Sequence, residues 1–250
     1  MALVERGLAP SRARAQALIM AGSVRIDDQR IDKPGTLIDK DADLRVIEAM
    51  PFVSRGGLKL ASALDAFKDA GLDVGGKIAV DVGASTGGFT DCLLSRGVAK
   101  VYAVDVGFGQ LADKLRRDPR VVVRERTNAR YLGPDDFAEP IDLVVVDASF
   151  IGLGKLAPAL ARILRPGGAL VALVKPQFEA GRVAVSRGKG VIRDPMLREE
   201  AIAAARQSIE QEGFRIEAEA DSAVAGPKGN LERFVYAIRV PPTQQEVLSG

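Results

Sequence analysis

Histidine is absent from the chain. Serine triads, histidine general bases and most zinc sites depend on imidazole. Any acid–base chemistry therefore falls to Lys, Asp, Glu, Tyr or Cys, and with no clustered acidic motif no metal site is expected. Cysteine occurs once, as Cys92. That excludes an intramolecular disulfide framework and suits a reducing cytosol; Cys92 itself reads as a small core residue without a role. Tryptophan is missing and aromatic residues make up only 5% of the chain, so base-stacking platforms are not signalled. No apolar stretch reaches membrane-spanning length, and the N-terminus lacks the charged, apolar and small-residue order of a signal peptide. The net charge of +2 gives no overall polycation. These absences lead to the expectation of a cytoplasmic protein with no membrane insertion.

What is present falls into two textures. An apolar content of 47% over 250 residues supports a packed core, and the length suits one large domain or a small one with a medium one. Near the N-terminus a short helix is expected at 12–21 (RARAQALIMA), with Ser11 as its N-cap and Gly22 as its stop. The β candidates SVRI and DLRVIE follow. Residues 4–26 hold four arginines, Arg6, Arg12, Arg14 and Arg25, against one acid; residues 27–50 hold seven acids against four bases. The near-neutral sum hides a basic head and an acidic tail. Arg12 and Arg14 occupy a helix's first turn, where partial positive charge makes cations unfavourable by about a few tenths of a kcal/mol. An external phosphate would relieve that conflict and use the free N–H groups. Two solvated arginines on a small domain fit the charge pattern equally well.

The stretch LVERGLAPSRARAQALIMAGSVRIDDQRIDKPG resembles the αL RNA-binding motif first described in ribosomal protein S-four. The resemblance implies a small α+β RNA-binding domain at 1–46, with Arg6, Arg12, Arg14 and Arg25 toward RNA. Members of that family carry an R-L-D-x-x-L lead-in before the equivalent of Val4. Here MALVERG stands in its place, and the expectation is either a shortened first helix or a true start further upstream. Residues 47–54 are the expected linker.

From residue 56 the pattern becomes α/β. A helix over 56–71 precedes the strand candidates KIAVDVG, KVYAVDV, RVVVRE, DLVVVDAS and ALVALVKP, with helical stretches near 87–96, 108–117 and 153–164. Strands alternating with helices indicate a parallel, doubly wound sheet. A helix at about 194–212 leads to FRIEAEADS and ERFVYAIRV, an expected antiparallel hairpin, and 242–250 form a tail.

After the first of these strands comes DVGASTGGFTD, residues 81–91. Glycines between a strand and a helix let a ligand approach the backbone at the helix's positive end. A dinucleotide fingerprint would read G-x-G-x-x-G, but Gly83, Gly87 and Gly88 have the wrong spacing and Ser85 stands where the middle glycine belongs. The next strand ends at Asp105, 22 residues beyond Gly83, where a carboxylate can accept bonds from ribose hydroxyls. A nucleoside without a pyrophosphate fits S-adenosylmethionine. The candidate cofactor contacts are Asp81, Gly83, Ser85, Thr86, Gly87, Gly88, Phe89, Asp105, Asp147 and Asn128, the last placed for an adenine edge. Asp81 is equally suited to stabilising the loop, and a tight strand–helix turn is the structural alternative for the glycines.

In GGALVALVKPQFE an apolar run ends on Lys175 and is followed at once by proline, which cannot continue a central strand. Open α/β sheets put their chemistry at such carboxyl ends. Asp147 closes the preceding strand in VVVDASF. Either charge alone could be structural; two at the ends of neighbouring apolar strands point to a site.

Taken in order, SRGGLKL, VVVDASF, LVKPQFE and GPKGNLERF are similar to the ribose 2′-O-methyltransferases of the FtsJ/RrmJ type, which carry a Lys–Asp–Lys–Glu tetrad. The resemblance assigns Lys59, Asp147, Lys175 and Glu232 to it. With the basic head in front, nearly the whole chain resembles the TlyA family, rRNA cytidine 2′-O-methyltransferases long described as haemolysins. It implies a Rossmann-like class I methyltransferase sheet over 55–241, S-adenosylmethionine as cofactor and ribosomal RNA as partner. On this resemblance Lys175 activates a ribose hydroxyl, deprotonating it or holding its oxygen for attack. Lys59 is then a neighbouring cation and the carboxylates orient the group. The segment RVAVSRGKGVIR adds Arg182, Arg187, Lys189 and Arg193 as candidate phosphate contacts, against a solvated loop. Three rivals stand beside this reading. A nicotinamide oxidoreductase is disfavoured by the glycine spacing, and a non-catalytic RNA-binding or assembly protein by the complete tetrad. A membrane-lytic haemolysin lacks an amphipathic basic helix.

Overall fold

The computed structural model describes residues 2–20, 22–27, 29–39, 41–46, 50–180, 191–226 and 228–241. The chain divides into two compact units, 1–51 and 52–250. The expected linker 47–54 straddles that division. Phe52 and Val53 pack against the core of the larger unit, because the ring of Phe52 fills the space left by the missing side chain of Gly57.

The smaller unit begins with two helices, α1 (Ala2–Glu5) and α2 (Arg12–Met20). Ser11 caps α2 by accepting the Arg14 N–H at 3.2 Å, which satisfies one of the orphan donors of a helix start. Gly22, at φ +67°, ends it in the left-handed conformation that glycine adopts freely. Three short strands follow, β1 (Val24–Ile26), β2 (Gln29–Ile31) and β3 (Leu44–Val46), all antiparallel, with β1 in the middle. Leu3, Ala9, Ala15, Val24 and Leu44 form the small core.

The larger unit is a seven-stranded sheet built from β4 (Ile78–Val82), β5 (Lys100–Val104), β6 (Val121–Arg124), β7 (Ile141–Val146), β8 (Leu164–Val174), β9 (Phe214–Asp221) and β10 (Arg233–Arg239). The order across it is β6-β5-β4-β7-β8-β10-β9, parallel from β6 to β8, with β10 antiparallel to both neighbours. Both faces are covered, so the central strands are nearly continuous apolar runs rather than alternating ones, with Asp81 on β4 and Asp142 on β7 as exceptions. On β8, Leu170, Ala172 and Val174 face one layer while Ala169, Val171 and Leu173 face the other. Helices α6 (Ala157–Ile163) and α8 (Pro195–Gln211) cover the first face; α3 (Arg55–Ala66), α4 (Gly88–Ser95) and α5 (Asp113–Arg116) cover the second.

The chain runs outward from β4 to β6 and returns on the other side of β4 as β7. This reversal opens a crevice at the carboxyl ends of β4 and β7, the place where doubly wound sheets bind ligands. Three expected helices are shorter than their sequences suggest. The one expected over 56–71 ends at Ala66. Over 108–117 only α5 forms, since Asp105 accepts the Gly107 N–H at 2.7 Å and Gly109 takes φ +70°, holding 105–112 as a loop. Over 153–164 a 3-10 turn, Leu153–Lys155, precedes α6. A four-residue helix, α7 (Pro176–Glu179), follows β8 directly. Among the described residues no helix is long and apolar enough to cross a membrane.

Candidate active site

Four charged side chains meet at the crevice as two ion pairs. Lys175 follows the last residue of β8, and Asp147 follows the last residue of β7, so parallel pairing brings them side by side. The Lys175 Nζ lies 2.6 Å from Asp147 Oδ1 and 2.9 Å from the Ser149 hydroxyl. Lys59, on the first turns of α3, donates to Glu232 Oε2, just ahead of β10. This second pair is deeply buried: Lys59 is 7% exposed and Glu232 1%. Glu232 Oε1 is buried with no hydrogen-bond partner among the described residues. Gly226 makes room for that oxygen, since a Cβ there would stand 2.6 Å from it. Lys59, Asp147, Lys175 and Glu232 all line one cleft of about 610 Å³.

A second cleft, of about 540 Å³, opens from the same crevice and shares Gly83, Ser85, Asp147, Ser149 and Phe150 with the first. Val82, Val104, Ile151 and Leu156 give it an apolar part, and Asp105, Gln110, Thr127, Asn128 and Arg130 are among its polar lining residues. Asp105 is fixed at its edge, accepting the Ser85 N–H at 2.8 Å and the Gly107 N–H at 2.7 Å. Two bonds leave lone pairs of that carboxylate free for a ligand. Asn128 spends its oxygen on the Arg130 N–H at 3.1 Å, which leaves its amide hydrogens for the cleft.

Between the clefts runs the glycine loop. Gly83 has φ +86°, and a Cβ on it would come 2.8 Å from the Asp147 carbonyl oxygen. Only glycine allows the two strand ends to approach this closely. Ser85 and Thr86 are exposed in the loop, and Ser85 takes φ +49°. Gly88 and Phe89 border the first cleft, Phe89 stacked on Phe234 with centroids 6.0 Å apart. Gly87 is covered by Leu111 and Leu115. Asp81 is completely buried, shares its sheet face with Ala79, and accepts the Thr90 hydroxyl at 2.7 Å. Burial pushes its carboxyl up to about 7. It supports the loop from beneath, and neither cleft is lined by it.

Several residues at the crevice escape sequence reasoning. Ser149, two places after Asp147, bonds Lys175. Phe150 is 91% exposed at φ +66°, a conformation uncommon for a bulky residue, and packs against Phe178 with ring centroids 5.2 Å apart. Ser54, Arg55, Gln177 and Lys228 also line the tetrad's cleft. Nothing in their spacing singles them out. Of the basic residues read as RNA contacts, Arg6, Arg12, Arg14 and Arg25 are exposed on the small unit, with the Arg6 guanidinium donating to the Ala42 carbonyl at 2.6 Å. Arg193 is exposed on the larger unit. Arg182, Arg187 and Lys189 lie outside the described residues.

The strand order, the single reversed strand and the crevice at β4 and β7 together define a class I methyltransferase fold. The FtsJ-like methyltransferase family matches residues 52–239, and the S4 domain family matches residues 1–44. The chain is 46% identical to a candidate rRNA methyltransferase, YqxC of Bacillus subtilis, over 98% of this chain and 86% of that one. It is 48% identical to the 16S/23S rRNA (cytidine-2′-O)-methyltransferase TlyA of Mycobacterium tuberculosis, over 94% of this chain and 87% of that one. The solved structure of a candidate hemolysin from Streptococcus thermophilus superposes with a TM-score of 0.75 at 42% identity, covering 95% of this chain and 86% of that one. The chain belongs to the FtsJ-like methyltransferases, and within them to the TlyA branch, which carries an S4 domain in front.

Proposed function

We propose that this chain is an S-adenosylmethionine-dependent methyltransferase that modifies a ribose 2′-hydroxyl of ribosomal RNA, with cytidine as the target nucleotide. The observation that carries the reading is the meeting of two Lys–carboxylate pairs in one cleft that continues into a second cleft edged by Asp105. S-adenosylmethionine, when bound, supplies an electrophilic methyl group. In the second cleft Asp105 accepts from its ribose, the Asn128 amide meets its adenine edge, and the open backbone at Gly83 admits its methionine end. An apolar floor beside such polar groups fits a nucleoside.

On this reading Lys175 addresses the substrate oxygen. An ammonium has three donors; Lys175 meets the Asp147 carboxylate, the Ser149 hydroxyl and, at a long 3.5 Å, the Asp147 carbonyl, and this last contact is the one a ribose oxygen would replace. Asp147 and Ser149 would hold the ammonium so that the ribose oxygen lies in line for attack, and the proton that oxygen loses would pass to the Asp147 carboxylate or to water. Lys59 and Glu232 line the same cleft. Arg6, Arg12, Arg14 and Arg25 hold phosphates of the RNA, contacts that orient the enzyme without reading sequence. The site of action is then the cytoplasm, where ribosomes are assembled. The likeness to proteins named as hemolysins is one of sequence and fold over most of the chain. Incubation with labelled S-adenosylmethionine and purified ribosomal subunits tests the reading: label recovered in a 2′-O-methylated nucleoside supports it, and cofactor binding without transfer to any rRNA favours a non-catalytic RNA-binding protein.

A further inference from the structure

We infer that Glu179 is a positioning residue for this reaction, latching the loop Ala148–Leu153 against the strand end that carries Lys175. The inference rests on the proposed activity only for its consequence in turnover. The loop after β7 holds Ser149, which bonds Lys175, and Phe150, at φ +66°. It forms the wall common to both clefts. Ala148, Ile151 and Leu153 pack on the core beneath the loop, and side-chain bonds tie its two ends to the segment after β8.

One end is the Ser149 hydroxyl on Lys175. The other is Glu179 Oε1, which accepts the Leu153 N–H at 2.7 Å. Leu153 opens the 3-10 turn ahead of α6, and its N-cap, Gly152, has no side chain to satisfy the first free N–H. Glu179 supplies that cap from another element, and negative charge is favoured at such a position. Gly152 is what admits it, since a Cβ there would stand 2.8 Å from Glu179 Oε2. Glu179 also ends α7, four residues after Lys175. The loop is thus stapled twice to one short segment, at Lys175 and at Glu179. The Phe150–Phe178 contact lies between the staples. No cation accompanies Glu179 among the ion pairs of the described residues, and a partly buried carboxylate kept without one calls for a role of this kind.

Hydrogen exchange on the full chain tests the latch without reference to activity. In Glu179→Ala, amides in 149–156 should exchange about tenfold faster, the loss expected of one charge-assisted bond, while those of α8 stay unchanged. In Glu179→Gln, whose amide oxygen accepts the same N–H, most of the protection should return. Methyl transfer tests the consequence. Glu179→Ala should lower kcat about tenfold or more, Glu179→Gln should recover most of it, and adding Ser149→Ala to Glu179→Ala should cost less than the two singles predict, because both act through one loop. Unchanged exchange in Glu179→Ala overturns the latch, as does a Gln variant no better than Ala. Strict additivity with Ser149→Ala overturns the route to Lys175. Failure of the unaltered enzyme to methylate rRNA contradicts the proposed activity instead, and the exchange result still decides the latch.

Discussion

Glu232→Ala separates what the second ion pair does for stability from what it does for chemistry. The substitution leaves the Lys59 ammonium buried with its one carboxylate partner gone. At exposures of 7% and 1%, a pair broken on one side costs about 3–5 kcal/mol. That is a large share of the roughly 5–15 kcal/mol that keeps a domain folded. In a domain of this size each kcal/mol moves Tm by about 2–4 °C, so the melting temperature should fall by roughly 6–20 °C. Replacing both partners together, as Lys59→Met with Glu232→Leu, removes the desolvation along with the attraction and should restore most of that loss. Neither protein should transfer methyl groups. Thermal melts of the three proteins, run beside methyl-transfer assays, read both quantities. A double variant as unstable as the single one, or a Glu232→Ala protein that melts with the parent, would refute the description of this pair as buried and mutually compensating.

Two further outcomes follow from buried and exposed charge. Burial raises the Asp81 carboxyl to about 7, so between about pH 4 and 7 the folded state holds a proton that the unfolded state has lost. Stability from this group therefore falls as pH rises through that window. Asp81→Asn, which can still accept from Thr90, should gain on the parent between pH 5 and pH 8 in urea unfolding; an equal difference at both values would contradict the assignment. Arg12→Ala with Arg14→Ala should weaken rRNA binding at low salt and flatten its salt dependence by about 0.7–0.9 in log–log slope for each phosphate no longer neutralised. An unchanged slope would remove both arginines from the RNA interface.

Lys175 and Asp147 were legible in the sequence because an apolar strand has a length and an end. Each charge stops such a run, and parallel topology carries both to the same edge. Asp105 was legible for a similar reason, one strand further along. The Lys59–Glu232 pair joins residues 173 positions apart, a closure no local pattern encodes, and it came into view only through the resemblance of their motifs to a known family. Asp81 shows the limit of reading a motif as a surface. It stands in the glycine-loop sequence, yet alternation along β4 turns it inward beneath α4, toward Thr90. The helix expected over 108–117 had the right composition, but Gly107 and Gly109 together with the bonds of Asp105 kept most of it a loop. The contact of Glu179 with Leu153 depends on where two loops meet in space, and periodicity carries no trace of that.

The central claim is that Lys175 acts on a ribose hydroxyl of rRNA. Its most direct test is methyl transfer from radiolabelled S-adenosylmethionine to purified ribosomal subunits and naked rRNA, with Lys175→Ala alongside and cofactor affinity measured for both proteins. Label is expected in 2′-O-methylcytidine with the parent and none with Lys175→Ala, while cofactor affinity stays within a few-fold. Near-normal turnover by Lys175→Ala would contradict it.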